Sequence, residues 1–178
     1  MAEKMVSNDC EVVGIEIDEK TAQKAKTHCQ KVFVGNVESI ELSSVYENYF
    51  DYIIFADVLE HLIQPLEVLF KFMKYLKADG RVVVSLPNIS NWRIRFNVLM
   101  GNFEYNDQGL LGWGHIRFFN VKSAKKLISE ANMEIVSFDV TVGDLNNFAK
   151  VFYKIGKIWS NLLAFQFLII TKKKDLVI

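Results

Sequence analysis

Polar side chains stand where four apolar segments of the sequence end. They are Glu16, Asn36, Asp57 and Asn88, and each follows a run rich in Val, Ile or Phe. In an open parallel sheet, ligands bind beyond the carboxyl ends of the strands, so these positions are candidates for one site. Glu16 has the chemistry to accept both hydroxyl hydrogens of a ribose. The alternative is a solvated acid at a strand end.

Asn36 follows Gly35 and offers both a donor and an acceptor, as recognition of an adenine edge requires. Taken alone, such an asparagine is more often a turn residue. Asp57, Glu60 and His61 fall within one helical turn after an apolar run, which puts ionisable groups at the edge of the sheet. A lone carboxylate at a helix start is more commonly a cap than a binding group.

A second group of candidates lies in the aromatic and glycine-rich segment NFEYNDQGLLGWGHIRFF, residues 102–119. His115 has a side chain suited to proton transfer near neutral pH, and Trp113 is two residues away. Arg117, together with Arg93 and Arg95, has the charge to hold a carboxylate or phosphate. The alternatives are a loop packed on its own aromatics and a solvated helix face.

Strand-like and helix-like segments alternate along the chain, which predicts one α/β domain with a mainly parallel sheet over residues 1–178. Residues 2–8 resemble the end of a helix, and Asp18 is placed to cap the first complete helix. The predicted strands and helices are strands at 11–17, 31–36, 50–57, 81–88, 134–140 and 163–171, and helices at 19–29, from Pro65 to about 78, at 92–101, 121–131 and 146–159.

Two of these segments carry specific expectations about burial. The nearly continuous apolar run at 50–57 predicts a strand that is buried on both faces. The helix after Pro65 shows one apolar stripe and is expected to end at Asp79 and Gly80, and the stripe consists of Leu66, Leu69, Phe70, Met73 and Leu76. Both would contribute to a single core.

The charge balance and the cysteine content limit the classes of protein to which the chain can belong. Twenty-one basic residues balance 21 acidic ones, so there is no overall charge that indicates nucleic-acid binding. Residues 1–80 hold 14 acids and 8 bases, whereas the remainder holds 7 acids and 13 bases, a basic half that favours an anionic substrate or an attraction between the two halves. Two cysteines indicate neither a disulfide framework nor a metal site, and they fit a reducing cytosol.

No membrane segment is predicted. The start MAEKMVSNDC has no apolar core of a signal peptide. The run LLAFQFLII is far shorter than the stretch of ~20 residues that a membrane span needs. A cytoplasmic protein without a membrane partner is therefore expected.

Several motifs together resemble the class I S-adenosylmethionine-dependent methyltransferases, in particular a small-molecule branch with a DVLEHL-type signature. The resemblance covers residues 11–171, and its carriers are VVGIEID, VGNVE, FDYIIFADVLEHL, LKADGRVVVSLPN and HIRFFNVKSAKKLISEANMEIV. It implies a Rossmann-like sheet with an antiparallel C-terminal strand. GIEID alone would be a weak signal, whereas FADVLEHL followed by a proline-started helix and KADG is fairly specific.

The resemblance also implies how S-adenosylmethionine would bind. Glu16, with Ile17 beside it, would hold the ribose, and Asn36 and Val37 would border the adenine. Asp57 and Val58 would lie near the methionine portion. The family more often has aspartate at position 36, but asparagine keeps the acceptor oxygen for the adenine amino group.

The family's first strand and its glycine-rich loop of the form DxGxGxG are not present in these 178 residues, since no glycine precedes Gly14. In the family this strand lies between those that here contain Val13 and Ile54. We therefore expect two unpaired strand edges, an N-terminally truncated domain, and dimerisation through the open edge. Whether Met1 is the true start is a question for the upstream genomic sequence.

The favoured function is O-methylation of a sugar or similar small molecule, because the HIRFF segment often accompanies glycan-modifying enzymes in related sequences. His115 or His61 would act as the general base. Two other functions stay open: a non-catalytic remnant that binds a partner, and an NAD-type oxidoreductase, since an acid often ends the second strand there too.

Overall fold

The computed structural model describes residues 10–105, 109–142 and 149–174. The chain divides into two compact units, Met1–Ser44 and Val45–Ile178. The predicted helix end at residues 2–8 lies outside the described residues. Within the described parts, no helix is both long enough and apolar enough to span a membrane.

The first unit is a strand–helix–strand motif. Strand β1 (Val13–Glu16) pairs in parallel with β2 (Lys31–Val34), and helix α1 (Glu19–Ala25) connects them. Asp18 caps α1 as predicted. Its Oδ1 accepts a hydrogen bond of 2.8 Å from the backbone N–H of Thr21. The hydrogen bonds to Thr21 lower the pKa of the Asp18 carboxyl.

The second unit contains four strands, five helices and the 3₁₀ segments within its described residues. In chain order these are a 3₁₀ helix at Ser44–Tyr46, β3 (Phe50–Ala56), a 3₁₀ helix at Leu59–His61, α2 (Pro65–Met73), β4 (Leu76–Pro87), α3 (Trp92–Leu99), α4 (Val121–Glu130), β5 (Met133–Thr141), α5 (Ala149–Ile158), α6 (Ser160–Leu163) and β6 (Gln166–Lys173). The first 3₁₀ helix begins at the unit boundary.

The sheet of this unit has the strand order β3-β4-β6-β5. Strand β3 runs parallel to β4, and β6 is antiparallel to both β4 and β5, which confirms a mixed sheet with an antiparallel last strand. Alternate residues of β4 and β6 are buried, as the two-residue period of a strand requires. They form the centre of the core, and the fully buried ones where β4 and β6 pair are Val82, Val84, Leu86, Phe167, Ile169 and Thr171.

The prediction that the strand at 50–57 is buried on both faces is wrong. Only Phe55 of β3 is buried, Ile53 and Ile54 are half-buried, and Tyr52 is 63% exposed. Strand β3 is an edge strand whose one hydrogen-bonded neighbour in the described sheet is β4. Strand β1 likewise has β2 as its one neighbour among the described residues, which agrees with the expectation that each of the two strands lacks a partner on one side.

The apolar stripe of α2 also differs from its prediction. The helix buries Pro65, Val68, Leu69 and Phe72, while Phe70 is 49% exposed. The helix ends at Met73 rather than at Asp79, and Leu76 already belongs to β4. The pairing register between β3 and β4 shifts just before Tyr52 meets Arg81, so the sequence around Gly80 is an irregularity within the strand and not a helix end.

A buried amide fixes the end of β4. Asn88 is fully buried, its Nδ2 donates to the carbonyl oxygen of Ala164 at 2.8 Å, and its Oδ1 accepts from the backbone N–H of Ser90 at 3.0 Å. Asn91, also buried, donates to the same Ala164 carbonyl at 2.9 Å. This strand-end asparagine therefore has a structural role, holding the chain after β4 against the segment before β6.

Replacement of Asn88 by alanine is expected to lower the free energy of unfolding by about 1–3 kcal/mol, because it leaves the Ser90 N–H without its acceptor and removes a donor from the buried Ala164 carbonyl. Urea unfolding would measure the change. Asn97→Ala, at an exposed position on α3, is the matched control. It should stay within about 0.5 kcal/mol of the wild type. Equal losses for the two variants would contradict this role of Asn88.

Candidate functional site

In the first unit, the cofactor residues predicted from the sequence surround the end of β1 and the turn after β2. Glu16 is half-buried at the last position of β1, and its Oε1 accepts a hydrogen bond of 3.0 Å from the backbone N–H of Asp18. The carboxylate has further lone pairs for a pair of hydroxyl groups. Ile17 is 68% exposed beside it.

Asn36 forms the turn after β2. Its Oδ1 accepts a hydrogen bond of 2.8 Å from the backbone N–H of Glu38. Such a bond two residues along the chain confirms the turn interpretation. The side chain is exposed, and Oδ1 can accept a second hydrogen bond while Nδ2 donates. Val37, which follows, is half-buried.

In the second unit, Asp57 ends β3 in the left-handed region, with φ of +53°. Its backbone N–H donates to the Ser85 hydroxyl at 2.9 Å, and the same hydroxyl donates to Asp57 Oδ1 at 2.8 Å. The side-chain amide of Gln166 also donates to Oδ1. The interpretation of Asp57 as a helix cap is wrong, because the cap position of the next 3₁₀ helix is Val58, without a side-chain cap bond.

The 3₁₀ helix Leu59–His61 is joined to the aromatic segment through backbone hydrogen bonds. The carbonyl oxygen of Glu60 accepts from the N–H groups of both Ile116 and Arg117, each at 3.0 Å. The guanidinium of Arg117 donates to the carbonyl oxygen of Ile63 through Nη2 at 2.6 Å and Nε at 3.2 Å. These bonds place the residues around His115 directly against the 3₁₀ helix.

The hydrogen bonds between the loop and the 3₁₀ helix bring two histidines into contact. The ring centroids of His61 and His115 lie 4.8 Å apart in an edge-to-face arrangement. Nδ1 of His61 lies 2.7 Å from the carbonyl oxygen of Gly114, and Nδ1 of His115 lies 3.3 Å from that of Leu110. Since a carbonyl oxygen only accepts, these contacts assign the proton of each neutral ring to Nδ1 and leave the Nε2 lone pair for another partner.

Glu60 lies beside the histidines, and the sequence places it among the ionisable groups at the sheet edge without assigning it a role. It is 1% exposed, and neither of its carboxylate oxygens has a hydrogen-bond partner among the described residues. Burial raises the pKa of its carboxyl from 4.5 to about 7, the residue's own backbone N–H opposes this shift, and the nearby charge of Asp57 adds to it. Burial likewise lowers the pKa of His115.

These three side chains could hold a metal ion, although the sequence predicted no metal site. One donor atom each from Glu60, His61 and His115 lies within 4.8 Å of the other two. The local signal in the sequence was the Glu-His pair of DVLEHL. The partnership with His115 had no local signal, because it depends on a backbone contact between distant segments.

The predicted substrate residues have different surroundings. Residues two apart on a helix point in nearly opposite directions, about 160° apart, so Arg93 and Arg95 do not share a face of α3. Arg93 lines an open groove together with Asn97, Asn102 and Glu104, while Arg117 is engaged by Ile63. The structure therefore does not assemble the three-arginine anion site that the sequence suggested.

Trp113 belongs to an exposed aromatic cluster. Its ring stacks on that of Tyr105 at 5.4 Å, and Phe103 meets Tyr105 edge to face at 5.7 Å. Trp113 itself is 68% exposed. The loop is thus packed on its aromatics and still presents an aromatic surface to solvent two residues from His115.

The raised pKa of Glu60 predicts how stability depends on pH. Ionisation of this carboxyl favours the unfolded chain, so its destabilising effect is absent below pH 4.5, grows up to pH 7, and is complete above it. Its full size is about 3 kcal/mol. Glu60→Gln cannot ionise and should be more stable than the wild type at pH 8, with the difference disappearing near pH 4.5.

Urea unfolding at both pH values, with EDTA in the buffer, would measure this difference. Glu67→Gln, at an exposed position of α2, is the control and should show no comparable gain. If Glu60→Gln changed the free energy of unfolding equally at pH 4.5 and pH 8, the raised pKa of Glu60 would be contradicted.

Comparison with known proteins agrees with this architecture. Residues 1–138 match the profile of a family described as "Methyltransferase domain". No curated protein matches the chain significantly in sequence. Similar solved structures include a SAM-dependent methyltransferase from Archaeoglobus fulgidus (TM-score 0.66, 16% identity, covering 96% of this chain and 80% of that one). Another comes from Methanosarcina mazei (TM-score 0.63, 15% identity, covering 96% and 85%).

A TehB-like SAM-dependent methyltransferase from Corynebacterium glutamicum is also similar, with a TM-score of 0.60, 15% identity, and coverage of 97% of this chain and 73% of that one. At these sequence identities the similar structures show that the fold is shared, and the family profile shows that the chain is a member of the family. The DVLEHL-type branch is not resolved by either comparison. With its mixed sheet and a family match over residues 1–138, this chain belongs to the methyltransferase domain family.

Proposed function

We propose that this chain is a methyltransferase that uses S-adenosylmethionine to methylate a hydroxyl group of a small-molecule or glycan-type acceptor. Its family membership supports methyl transfer. The main support for a hydroxyl acceptor is the His61–His115 pair. The Nε2 lone pair of each ring can accept a proton from a hydroxyl group, and an exposed aromatic surface lies close by in the same loop.

The residues of each unit fit parts of the cofactor. In the first unit, the half-buried Glu16 carboxylate can accept from ribose hydroxyls, and Asn36 can pair with an adenine edge. In the second unit, Ser85 and Gln166 both donate to Oδ1 of Asp57, so Oδ2 can receive the cationic amino group of the methionine portion. S-adenosylmethionine supplies an electrophilic methyl group on a sulfonium.

The protein's part in the reaction is mainly positioning and proton removal. When bound, S-adenosylmethionine would supply its sulfonium methyl group to the acceptor oxygen, and the electron pair of the broken carbon–sulfur bond would stay on the sulfur of S-adenosylhomocysteine. The hydroxyl proton is taken up at the histidine pair. Burial lowers the pKa of His115, which keeps this ring neutral and able to accept a proton near neutral pH.

The exposed aromatic cluster of Phe103, Tyr105 and Trp113 supports a ring-shaped acceptor. Aromatic faces offer a flat apolar surface against which the C–H face of a sugar can pack, and exposed apolar clusters often mark ligand-binding surfaces. Arg93, in the groove with Asn97 and Asn102, would suit an anionic group on the same acceptor.

A second candidate function is partner binding without catalysis, by pairing at the open edge of β3. That edge has no hydrogen-bonded strand among the described residues, and Tyr52 on it is 63% exposed. A homodimer through this edge would appear in sedimentation equilibrium and be weakened by a proline at Ile53. A strictly monomeric chain would contradict it.

Cofactor binding by Glu16 can be tested by calorimetric titration of the chain with S-adenosylmethionine. Loss of a charge-assisted hydrogen bond costs about 1.5–3 kcal/mol, so Glu16→Ala should weaken binding by about 10- to 150-fold. Glu47→Ala, an exposed acid in the second unit, should bind as the wild type does. No heat with the wild-type chain at millimolar cofactor would overturn the proposal.

Methyl transfer can be tested with methyl-labelled S-adenosylmethionine and a panel of hydroxylated sugars and phenols. His61→Asn and His115→Asn are each expected to reduce kcat by about 100-fold, the usual contribution of acid–base catalysis. His28→Asn is the matched control, since it changes an exposed histidine of the first unit. Unchanged kcat in both site variants would exclude the histidine pair from catalysis.

A further inference from the structure

Glu60, His61 and His115 form a cluster whose donor set is typical of a transition-metal site. It combines two imidazoles with one carboxylate, and one ligand atom from each residue lies within 4.8 Å of the others. Two histidines and a carboxylate bind Zn²⁺ or Fe²⁺ in many enzymes. All three residues belong to the second unit, so their arrangement does not depend on the first.

The histidine tautomers leave the Nε2 lone pair of each ring available to a metal ion. A metal-ligating histidine generally donates its other ring N–H to a carboxylate or backbone carbonyl, which fixes the ring and directs the remaining lone pair. His61 makes such a contact with Gly114 O at 2.7 Å, and His115 with Leu110 O at 3.3 Å. Both rings are therefore held by backbone oxygens from the same loop.

The carboxylate of Glu60 independently indicates a cation at this position. Both oxygens are buried and have no hydrogen-bond partner among the described residues. Such an arrangement is costly for a carboxylate unless a cation or a donor compensates it. The two histidine rings next to it offer lone pairs and not N–H donors in the assigned tautomers. A cation between the three groups would satisfy all of them.

Two glycines allow the loop to come this close. A Cβ on Gly114 would lie 2.8 Å from His61 Nδ1, and one on Gly112 would lie 3.3 Å from His115 Nε2. A side chain at position 114 would displace the His61 ring from its carbonyl partner. Gly114 is thus a positioning residue for His61, and its replacement tests the geometry without removing a ligand.

We propose that Glu60, His61 and His115 bind one divalent transition-metal ion such as Zn²⁺. Imidazole ligands favour Zn²⁺, Fe²⁺, Cu²⁺ or Ni²⁺ over Mg²⁺ and Ca²⁺, which prefer oxygen ligands. Ligand atoms about 2.1 Å from one ion are separated by about 3.4 Å, so small rotations of the side chains would complete the site.

Three protein ligands leave a coordination position open for a water molecule or an acceptor hydroxyl. A hydroxyl bound there would have a lowered pKa and would release its proton to solvent water, so neither metal-bound histidine would have to accept it. This part rests on the proposed function, whereas binding of the ion does not.

The test is a calorimetric titration of the chelator-stripped chain with Zn²⁺, repeated with Mg²⁺. We expect one Zn²⁺ ion per chain and much weaker Mg²⁺ binding. His61→Asn and His115→Asn should each weaken Zn²⁺ binding by about 100-fold, and Glu60→Gln and Gly114→Ala by about 10-fold or more. The same variants should lose the visible absorption of bound Co²⁺.

His28→Asn and the double variant Cys10→Ser, Cys29→Ser are the controls, because they remove the third histidine and both cysteines of the chain and should leave Zn²⁺ binding unchanged. Thermal unfolding in EDTA shows whether each site variant is folded. Zn²⁺ should raise the Tm of the wild type and the controls but not of the histidine variants.

The proposed metal site would be rejected if both histidine variants kept the wild-type Zn²⁺ affinity, or if a control variant lost it. Absence of heat and of a thermal shift at millimolar Zn²⁺ would overturn it as well. S-adenosylmethionine titrated in EDTA reports on the proposed function separately. Cofactor binding without Zn²⁺ binding would reject the metal site alone, and the reverse would reject the cofactor proposal alone.

Discussion

The carbonyl oxygen of Glu60 is the contact on which the site depends. It accepts hydrogen bonds from the backbone N–H groups of Ile116 and Arg117, and these bonds join the 3₁₀ helix after β3 to a loop that is distant in sequence. Arg117 reinforces the contact through the Ile63 carbonyl, and Leu110 and Leu111 anchor the loop by packing with Ile94 of α3. Without these bonds His61 and His115 would not meet.

The same contact explains why an acid is buried. The 3₁₀ helix turns Leu59 and Glu60 inward and leaves His61 exposed at the rim. Once the loop covers it, the Glu60 carboxylate has lost its water and gained no donor among the described residues. Proteins retain such costly groups mostly where they serve a function, and perturbed carboxyls beside histidines are typical of catalytic and metal sites.

Features that depend on neighbouring residues could be predicted from the sequence, and features that depend on distant ones could not. The Asp18 cap and the Asn36 turn follow from hydrogen bonds over two or three residues. The exposure of β3 was mispredicted because burial depends on which strands flank it. The alternative interpretation of Asp57 as a cap fails because its partners, Ser85 and Gln166, lie 28 and 109 positions away.

Anomalous X-ray diffraction from crystals of the chain grown with Zn²⁺, recorded on both sides of the zinc absorption edge, tests the central claim most directly. The docked loop and the buried carboxylate predict one strong peak between Glu60, His61 and His115, about 2.0–2.2 Å from each ligand atom. A zinc peak elsewhere, or a loop around His115 that is separated from the Glu60 carbonyl, would contradict it.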